Sequence, residues 1–268
     1  MKRAPTRLVL LGNPVSGSLS PIFQRAALDA AGIDIAYDAL DITPAQLAAT
    51  IAGIRASNVA GNVTRPHKVA FREACDELTP IADRVGAVNT FWMENETLIG
   101  DNTDVDGFDL AARDLLEGEI AGREIMLLGA GGGASAVLAA VERWPRVRVA
   151  ILSRNGERAS ALARRYVDVA RVETNSGRGA AGATLIVNAT PLGQYDDQFP
   201  IDLAAIPRGA ALFDLVYRRE ETAWIRAGRE KGHRAVDGLP MLLEQGALGF
   251  QRWFGKPADR KAMRQSLV

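Results

Sequence analysis

The stretch REIMLLGAGGGASAVLAAVERW, Arg123 to Trp144, sets the tightest limit on the fold. Its apolar opening reads as the end of a buried strand, and its alanine-rich close reads as a helix. Between them, Gly129, Gly131 and Ala134 fit the spacing G-x-G-x-x-G/A. Each position has a physical task. Gly129 makes the tight turn, Gly131 lets the backbone approach a pyrophosphate, and Ala134 permits close helix–strand packing. Ala130, Gly132 and Gly133 complete the turn and leave free N–H groups at the helix start, facing the phosphates of a dinucleotide. The required strand stands before the glycines and the required helix after them, so the motif has its structural context.

The following strand, VRVAILSRN, ends where an adenosine ribose should lie. Asp or Glu there accepts hydrogen bonds from the ribose of NAD. This chain has Ser153, Arg154 and Asn155 instead, with Arg158 one helical turn on. Arginine pairs with a 2′-phosphate, so NADP is expected ahead of NAD, with NAD remaining possible.

The rest of the chain continues the alternation. Strands are expected at Arg7–Leu11, Ile35–Leu40 and ASNVAGNVT, and a hairpin at Ala87–Trp92 and Thr97–Ile99 around MENE. Ser20 is placed to cap a helix opened by Pro21, and Thr43 to cap a second. Short helices are expected over His67–Glu77 and Pro80–Val85, and a longer one over Val105–Glu117. Further strands fall at Val147–Leu152, in ATLIVNATPLG and GAALFDLVY, and at His233–Val236. Helices fall at Gly156–Tyr166, Thr222–Arg229, Leu239–Phe254 and Pro257–Ser266. The glycine-rich Gly177–Ala183 reads as a loop. Strands alternating with helices make an α/β protein.

Lys plus Arg and Asp plus Glu number 32 each, and no basic cluster stands out, which argues against a nucleic-acid partner. The apolar run after MKRAPT is too short for a signal-peptide core, and no run is long enough to span a membrane. A cytoplasmic protein is expected. Cys75 is the one cysteine, which fits a reducing compartment, and it reads as a small buried residue on a helix. With only His67 and His233 beside it, no metal site is expected.

Four polar words remain: SGSLSP (Ser16–Pro21), GNVTRPHK (Gly61–Lys68), GAVNT (Gly86–Thr90) and GDNTD (Gly100–Asp104). Each is expected where a strand passes into a turn or helix, the place where ligands gather in α/β sheets. A lysine beside a carboxylate can relay a proton to a substrate oxygen, so Lys68 and Asp104 are candidates for that chemistry. Ser18, Ser20 and Thr64 offer hydroxyls to a carboxylate or polyol. No spacing rule singles out this set.

Together with GAGGGAS, SRN, VNATPLG, FDLVY and DGLPMLLEQ, in that order, these words resemble the shikimate dehydrogenase family over essentially the whole chain. The resemblance implies reversible reduction of 3-dehydroshikimate to shikimate, usually with NADPH. Lys68 matches the family's catalytic lysine and Asp104 its partner. Ser18 and Ser20 match serines that hold the substrate carboxylate, with Tyr217 near it. Asn62, Thr64, Asn89 and Gln245 match substrate-contacting positions. Asn188, Ala189 and Thr190 match a word beside the cofactor, Gly238 and Met241 match residues near nicotinamide, Leu215 is a further cofactor-binding candidate, and Arg154 matches an arginine of the 2′-phosphate.

The resemblance further implies two α/β domains with a cleft between them. A substrate-binding domain would span 1–104 and be completed by returning helices at 239–268. A Rossmann-like NADP-binding domain would span 105–238. The partner would be a small cyclic hydroxy acid, and the protein a monomer or homodimer.

The chain departs from the common family pattern at several places. Gly17 stands where His is common, and His67 where an apolar or aromatic residue is. Val105 and Asp106 follow GDNTD, Pro191 and Leu192 replace small polar residues, and Ser153 replaces asparagine. His67 reads either as a solvent-facing helix-start residue or as a charge lowering the pKa of Lys68. These departures keep quinate, an aminated shikimate or another cyclic hydroxy acid as alternative substrates, and a non-catalytic ligand-binding relative as an alternative class.

Overall fold

The computed structural model describes residues 4–173 and 180–267. The first three residues of the glycine-rich stretch, Gly177 to Gly179, therefore lie outside the described residues. The chain divides into two compact units, one formed by Met1–Gly107 with Leu242–Val268, the other by Phe108–Met241.

The first unit is built on a six-stranded sheet of order β2-β1-β3-β5-β6-β4. Its strands are β1 (Arg7–Gly12), β2 (Tyr37–Asp41), β3 (Val59–Val63), β4 (Glu77–Leu78), β5 (Thr90–Glu94) and β6 (Thr97–Asp101). β1 runs parallel to β2 and β3, whereas β5 is antiparallel to both β3 and β6. RLVLLG is buried from Leu8 onward because both faces of its strand are covered. The pleat sends Leu8 and Leu10 to one face and Val9 and Leu11 to the other.

On the first face pack α1 (Ser20–Ala30), α9 (Leu239–Phe254) and α10 (Arg260–Gln265), through Phe23, Leu28, Phe250, Trp253 and Met263. On the second pack α2 (Leu47–Ser57), α3 (Lys68–Glu73) and α4 (Pro80–Val85), through Ile51, Ile54, Phe71 and Ala82. Small residues let α9 lie close. At Gly246 an added Cβ would stand 2.4 Å from the Phe23 ring.

The second unit carries a sheet of order β12-β11-β10-β7-β8-β9 in which every pairing is parallel. Its strands are β7 (Glu124–Leu128), β8 (Arg148–Leu152), β9 (Ala170–Val172), β10 (Leu185–Asn188), β11 (Ala211–Asp214) and β12 (Ala235–Val236). Its helices include α6 (Gly132–Val141), α7 (Gly156–Arg165) and α8 (Ala223–Glu230), and α5 (Asp104–Leu115) leads into it. The order reverses direction at β7, which makes the glycine turn after that strand a topological switch point. No helix among the described residues is long and apolar enough to cross a membrane.

Several local expectations are corrected. The sequence does not predict strands β4 and β9, because two- and three-residue edge segments carry no periodicity. The helix expected to reach Glu77 ends at Glu73, and Glu77 pairs with β6. Cys75 therefore follows the helix rather than lying on it; it is half-buried, and burial pushes its thiol up to about 12. Ser20 does not cap α1. Leu19 holds that position, and the Ser18 hydroxyl accepts from the Ser20 N–H at 3.2 Å.

His67 does not face solvent. It is 1% exposed, and its Nε2 lies 2.7 Å from the Ile42 carbonyl, to which it donates. GAVNT does not end a strand either. Gly86 closes α4 and Asn89 stands just before β5. Because β5 is antiparallel, its start lies beside the ends of β3 and β6, as the pairs Asn62↔Thr90 and Thr90↔Asp101 show.

Candidate active site

That reversal explains how one sheet edge collects the polar words. Lys68 opens α3 just after β3, Asn89 precedes β5, and Asp104 opens α5 just after β6. The Lys68 Nζ donates to Asp104 Oδ2 at 2.6 Å, with side-chain exposures of 25% and 11%. On the other side of the carboxylate, Asn89 Nδ2 donates to Asp104 Oδ1 at 2.8 Å. The same amide nitrogen lies 3.1 Å from Thr103 Oγ1 and 3.2 Å from Gln245 Oε1. An amide has two hydrogens, so the shortest of these three contacts, to Asp104, takes precedence. Gln245 reaches the cluster from α9, and its Nε2 donates to the Leu242 carbonyl.

Several supporting residues carry no signal that the sequence alone offers. Thr103 N–H donates to Asn89 Oδ1 at 2.7 Å, and Asp104 N–H to Asn102 Oδ1 at 3.1 Å. Tyr37 OH donates to Asn62 Oδ1 at 2.9 Å, while Asn62 Nδ2 donates to the Asn89 carbonyl. The middle of GDNTD thus folds the word, and its last residue meets the lysine. Ser18, Ser20 and Thr64 lie at the carboxyl ends of the parallel β1 and β3, with no direct bond to the cluster among the described residues. Nothing lies within 4 Å of a Cβ added at Gly17.

In the second unit, Gly129 adopts φ +108°, and an added Cβ would stand 2.9 Å from the Ala189 carbonyl oxygen. Only glycine accepts both constraints. Gly131 caps α6 without a side-chain bond, and nothing stands within 4 Å of Cβ positions at Gly131 or Gly132. Gly133 packs on Leu215, and Ala134 is fully buried. Arg154 and Arg158 are exposed and have no ion pair among the described residues. Asn155 caps α7 by accepting from the Arg158 N–H, and Ser153 Oγ accepts from the Asn155 N–H. Open backbone donors, room for phosphate and two free guanidinium groups fit a phosphorylated dinucleotide.

The remaining strand ends are organised by one carboxylate. Asn188 is buried and donates to Asp214 Oδ1 at 2.8 Å, while its Oδ1 accepts from Thr190 N–H and Oγ1. Leu215 N–H donates to the Asn188 carbonyl, and Gly238 N–H to the Val216 carbonyl. Tyr217, half-buried, follows β11, and Met241 is buried on α9. Burial pushes the Asp214 carboxyl up to about 6; bonds from Val216 N–H, Asn188 and Thr222 oppose the shift, and Asp237 adds to it. Asp237 is itself raised, chiefly by burial, with Glu221 raising and Arg229 lowering it.

A carboxyl raised from 3.8 to about 6 binds its proton more tightly in the folded state. Its share of stability is therefore present below 3.8 and lost as pH rises through about 6. Wild type should gain stability relative to Asp214→Asn on acidification across that window, measured by urea unfolding. A difference independent of pH would remove this effect.

A parallel sheet with a glycine turn at its switch point, in a chain whose other unit bears a lysine–carboxylate pair, defines a dinucleotide-fold oxidoreductase class. Residues 10–91 match the shikimate dehydrogenase substrate binding domain, and residues 238–268 the shikimate 5'-dehydrogenase C-terminal domain. The chain is 40% identical to the shikimate dehydrogenase (NADP(+)) of Symbiobacterium thermophilum, over 99% of this chain and 95% of that one. Its fold superimposes on shikimate dehydrogenase from Aquifex aeolicus with a TM-score of 0.91 at 33% identity, covering 100% and 99% of the two chains. On shikimate 5-dehydrogenase from Thermus thermophilus in complex with NADP(H) and shikimate, the TM-score is 0.88 at 35% identity, covering 97% and 98%. The chain belongs to the shikimate dehydrogenase family.

Proposed function

We propose that this chain catalyses the NADP-dependent, reversible reduction of 3-dehydroshikimate to shikimate. The observation that carries the reading is the Lys68–Asp104 pair at 2.6 Å, braced by Asn89 and held at a strand-end edge. In reduction, Lys68 Nζ holds a proton for the carbonyl oxygen as that oxygen gains charge, and in oxidation it receives the hydroxyl proton. Asp104 orients the ammonium through Oδ2 and is itself fixed through Oδ1. Asn89, Gln245 and Asn62 form the polar wall for ring hydroxyls, and Ser18, Ser20 and Thr64 receive the carboxylate. When bound, NADP supplies the redox chemistry. The open N–H groups after Gly129 would hold its pyrophosphate, with Arg154 and Arg158 at the 2′-phosphate.

Arg154→Ser tests the cofactor half of this reading. A charge-assisted hydrogen bond is worth about 1.5–3 kcal/mol, so kcat/KM with NADP should fall roughly tenfold to a hundredfold. With NAD it should stay near the wild-type value. Equal loss with both cofactors would contradict the role.

A second reading, dehydrogenation of quinate, an aminated shikimate or another cyclic hydroxy acid, follows from the departures at Gly17, beside Ser18, and at His67, beside Lys68. Comparing kcat/KM across shikimate, quinate and aminoshikimate separates the two.

A further inference from the structure

We propose that Asp214 is a positioning residue for the nicotinamide end of the cofactor, gathering the loops after β10, β11 and β12 into one arrangement. The inference rests on the NADP-dependent reading above and assigns a task to a residue outside the substrate and phosphate contacts.

Asp214 ends β11 and is 1% exposed. It has no ion-pair partner among the described residues, and burying a carboxylate without a cation is expensive. Three donors offset that cost, and each belongs to a different segment. Asn188 Nδ2 donates at 2.8 Å from the end of β10, Val216 N–H at 3.0 Å from the loop after β11, and Thr222 Oγ1 at 3.0 Å from the start of α8.

The hold extends outward from each of these donors. Asn188 Oδ1 fixes Thr190 through both its N–H and its hydroxyl, and Thr190 Oγ1 accepts from Leu192 N–H. Val216 passes the hold to the loop after β12 through its carbonyl, which accepts from Gly238 N–H at 2.9 Å. Gly238 has no room for a side chain there, since an added Cβ would stand 2.4 Å from the Leu215 carbonyl oxygen. Leu215 also meets Gly133, at the start of the helix that follows the glycine turn. One carboxylate thus fixes Thr190, Leu215 and Gly238 together, on the same carboxyl edge as the phosphate turn. An apolar residue would stabilise the strand end without arranging any of these donors.

The test compares NADP with 2′,5′-ADP, which carries the adenosine half alone, in titrations of the whole protein. Asp214→Ala removes the acceptor of all three bonds and should weaken NADP about tenfold. It should leave 2′,5′-ADP within about threefold of wild type. Asp214→Asn should restore most NADP affinity, because its carbonyl can accept from Asn188 and Val216 and its amide can donate to the Thr222 hydroxyl.

If Asp214→Ala does not fold, Thr222→Val, which deletes one of the three donors, should shift NADP affinity the same way by a smaller factor. Equal losses for NADP and 2′,5′-ADP would overturn the inference in favour of a general structural role. So would unchanged NADP affinity in a folded Asp214→Ala or Thr222→Val. Wild-type protein that binds neither ligand would instead overturn the NADP reading and this inference with it.

Discussion

Lys68→Ala lowers kcat for shikimate oxidation by about a hundred- to ten-thousand-fold, the range of a positioned proton-transfer group. The size follows from the site's construction. The Lys68 side chain is 25% exposed and has one close anionic partner, Asp104 at 2.6 Å. No second lysine or histidine joins the cluster among the described residues to take over the proton. The fold should survive, because the buried anchor of this short helix is Phe71 and not Lys68.

KM for shikimate should change much less than kcat, since the proposed substrate contacts lie on Asn89, Gln245 and the serines. Steady-state kinetics on folded protein read this directly. A loss below about tenfold would mean that another group moves the proton. Deleting Asp104 has a second effect, because it leaves the Lys68 ammonium without its partner while Asn89 keeps Thr103 and Gln245 as acceptors.

Gly61→Ala unfolds the first unit at markedly lower temperature. Gly61 lies opposite Val9 in the β1–β3 pairing, and an added Cβ would stand 1.9 Å from the Val9 carbonyl oxygen. That oxygen is backbone in a strand buried on both faces, so no rotamer change relieves the contact. The two central strands must separate, weakening their ladder and the bond from Thr90 Oγ1 to the Gly61 carbonyl. Such overpacking costs about 3 kcal/mol or more. That corresponds to a fall of roughly 6–12 °C in Tm for a chain of this size. Calorimetry checks it, and a Tm within about 2 °C of wild type would contradict the close approach. The same residue explains why a glycine opens the word GNVTRPHK. The requirement lies in strand packing and needs no ligand.

The glycine turn was legible because its physics is local. A strand, a residue at positive φ and a helix start follow one another in sequence, and Gly129 shows that conformation. Lys68 and Asp104 are 36 positions apart, and nothing local links them. They could be paired only through a resemblance of ordered words. How β5 runs against β3 is hidden for a different reason. The hairpin around MENE sets β5 against β6, but alternation does not orient β5 against β3, so GAVNT is expected to close a strand, whereas Asn89 stands just before one and Thr90 opens it. The turn at Asn95 and Glu96, both at positive φ, reverses the chain and brings Asp101 opposite Thr90. His67 and Asp214 illustrate the remaining gap. A histidine at a helix start reads as solvent-facing, an aspartate closing a strand carries no reading of its own, and only the packed structure supplies the Ile42 carbonyl or the three donors that make burial tolerable.

The most direct measurement of the central claim is the change in nicotinamide absorbance when purified protein meets shikimate and either NADP or NAD. Rapid reduction of NADP, slower reduction of NAD and loss of both in Lys68→Ala are the expected results. No reduction of either cofactor with shikimate, from folded protein that binds NADP, would contradict the proposed substrate. Quinate and related acids would then be the compounds to test, with Gly17 the first position to vary.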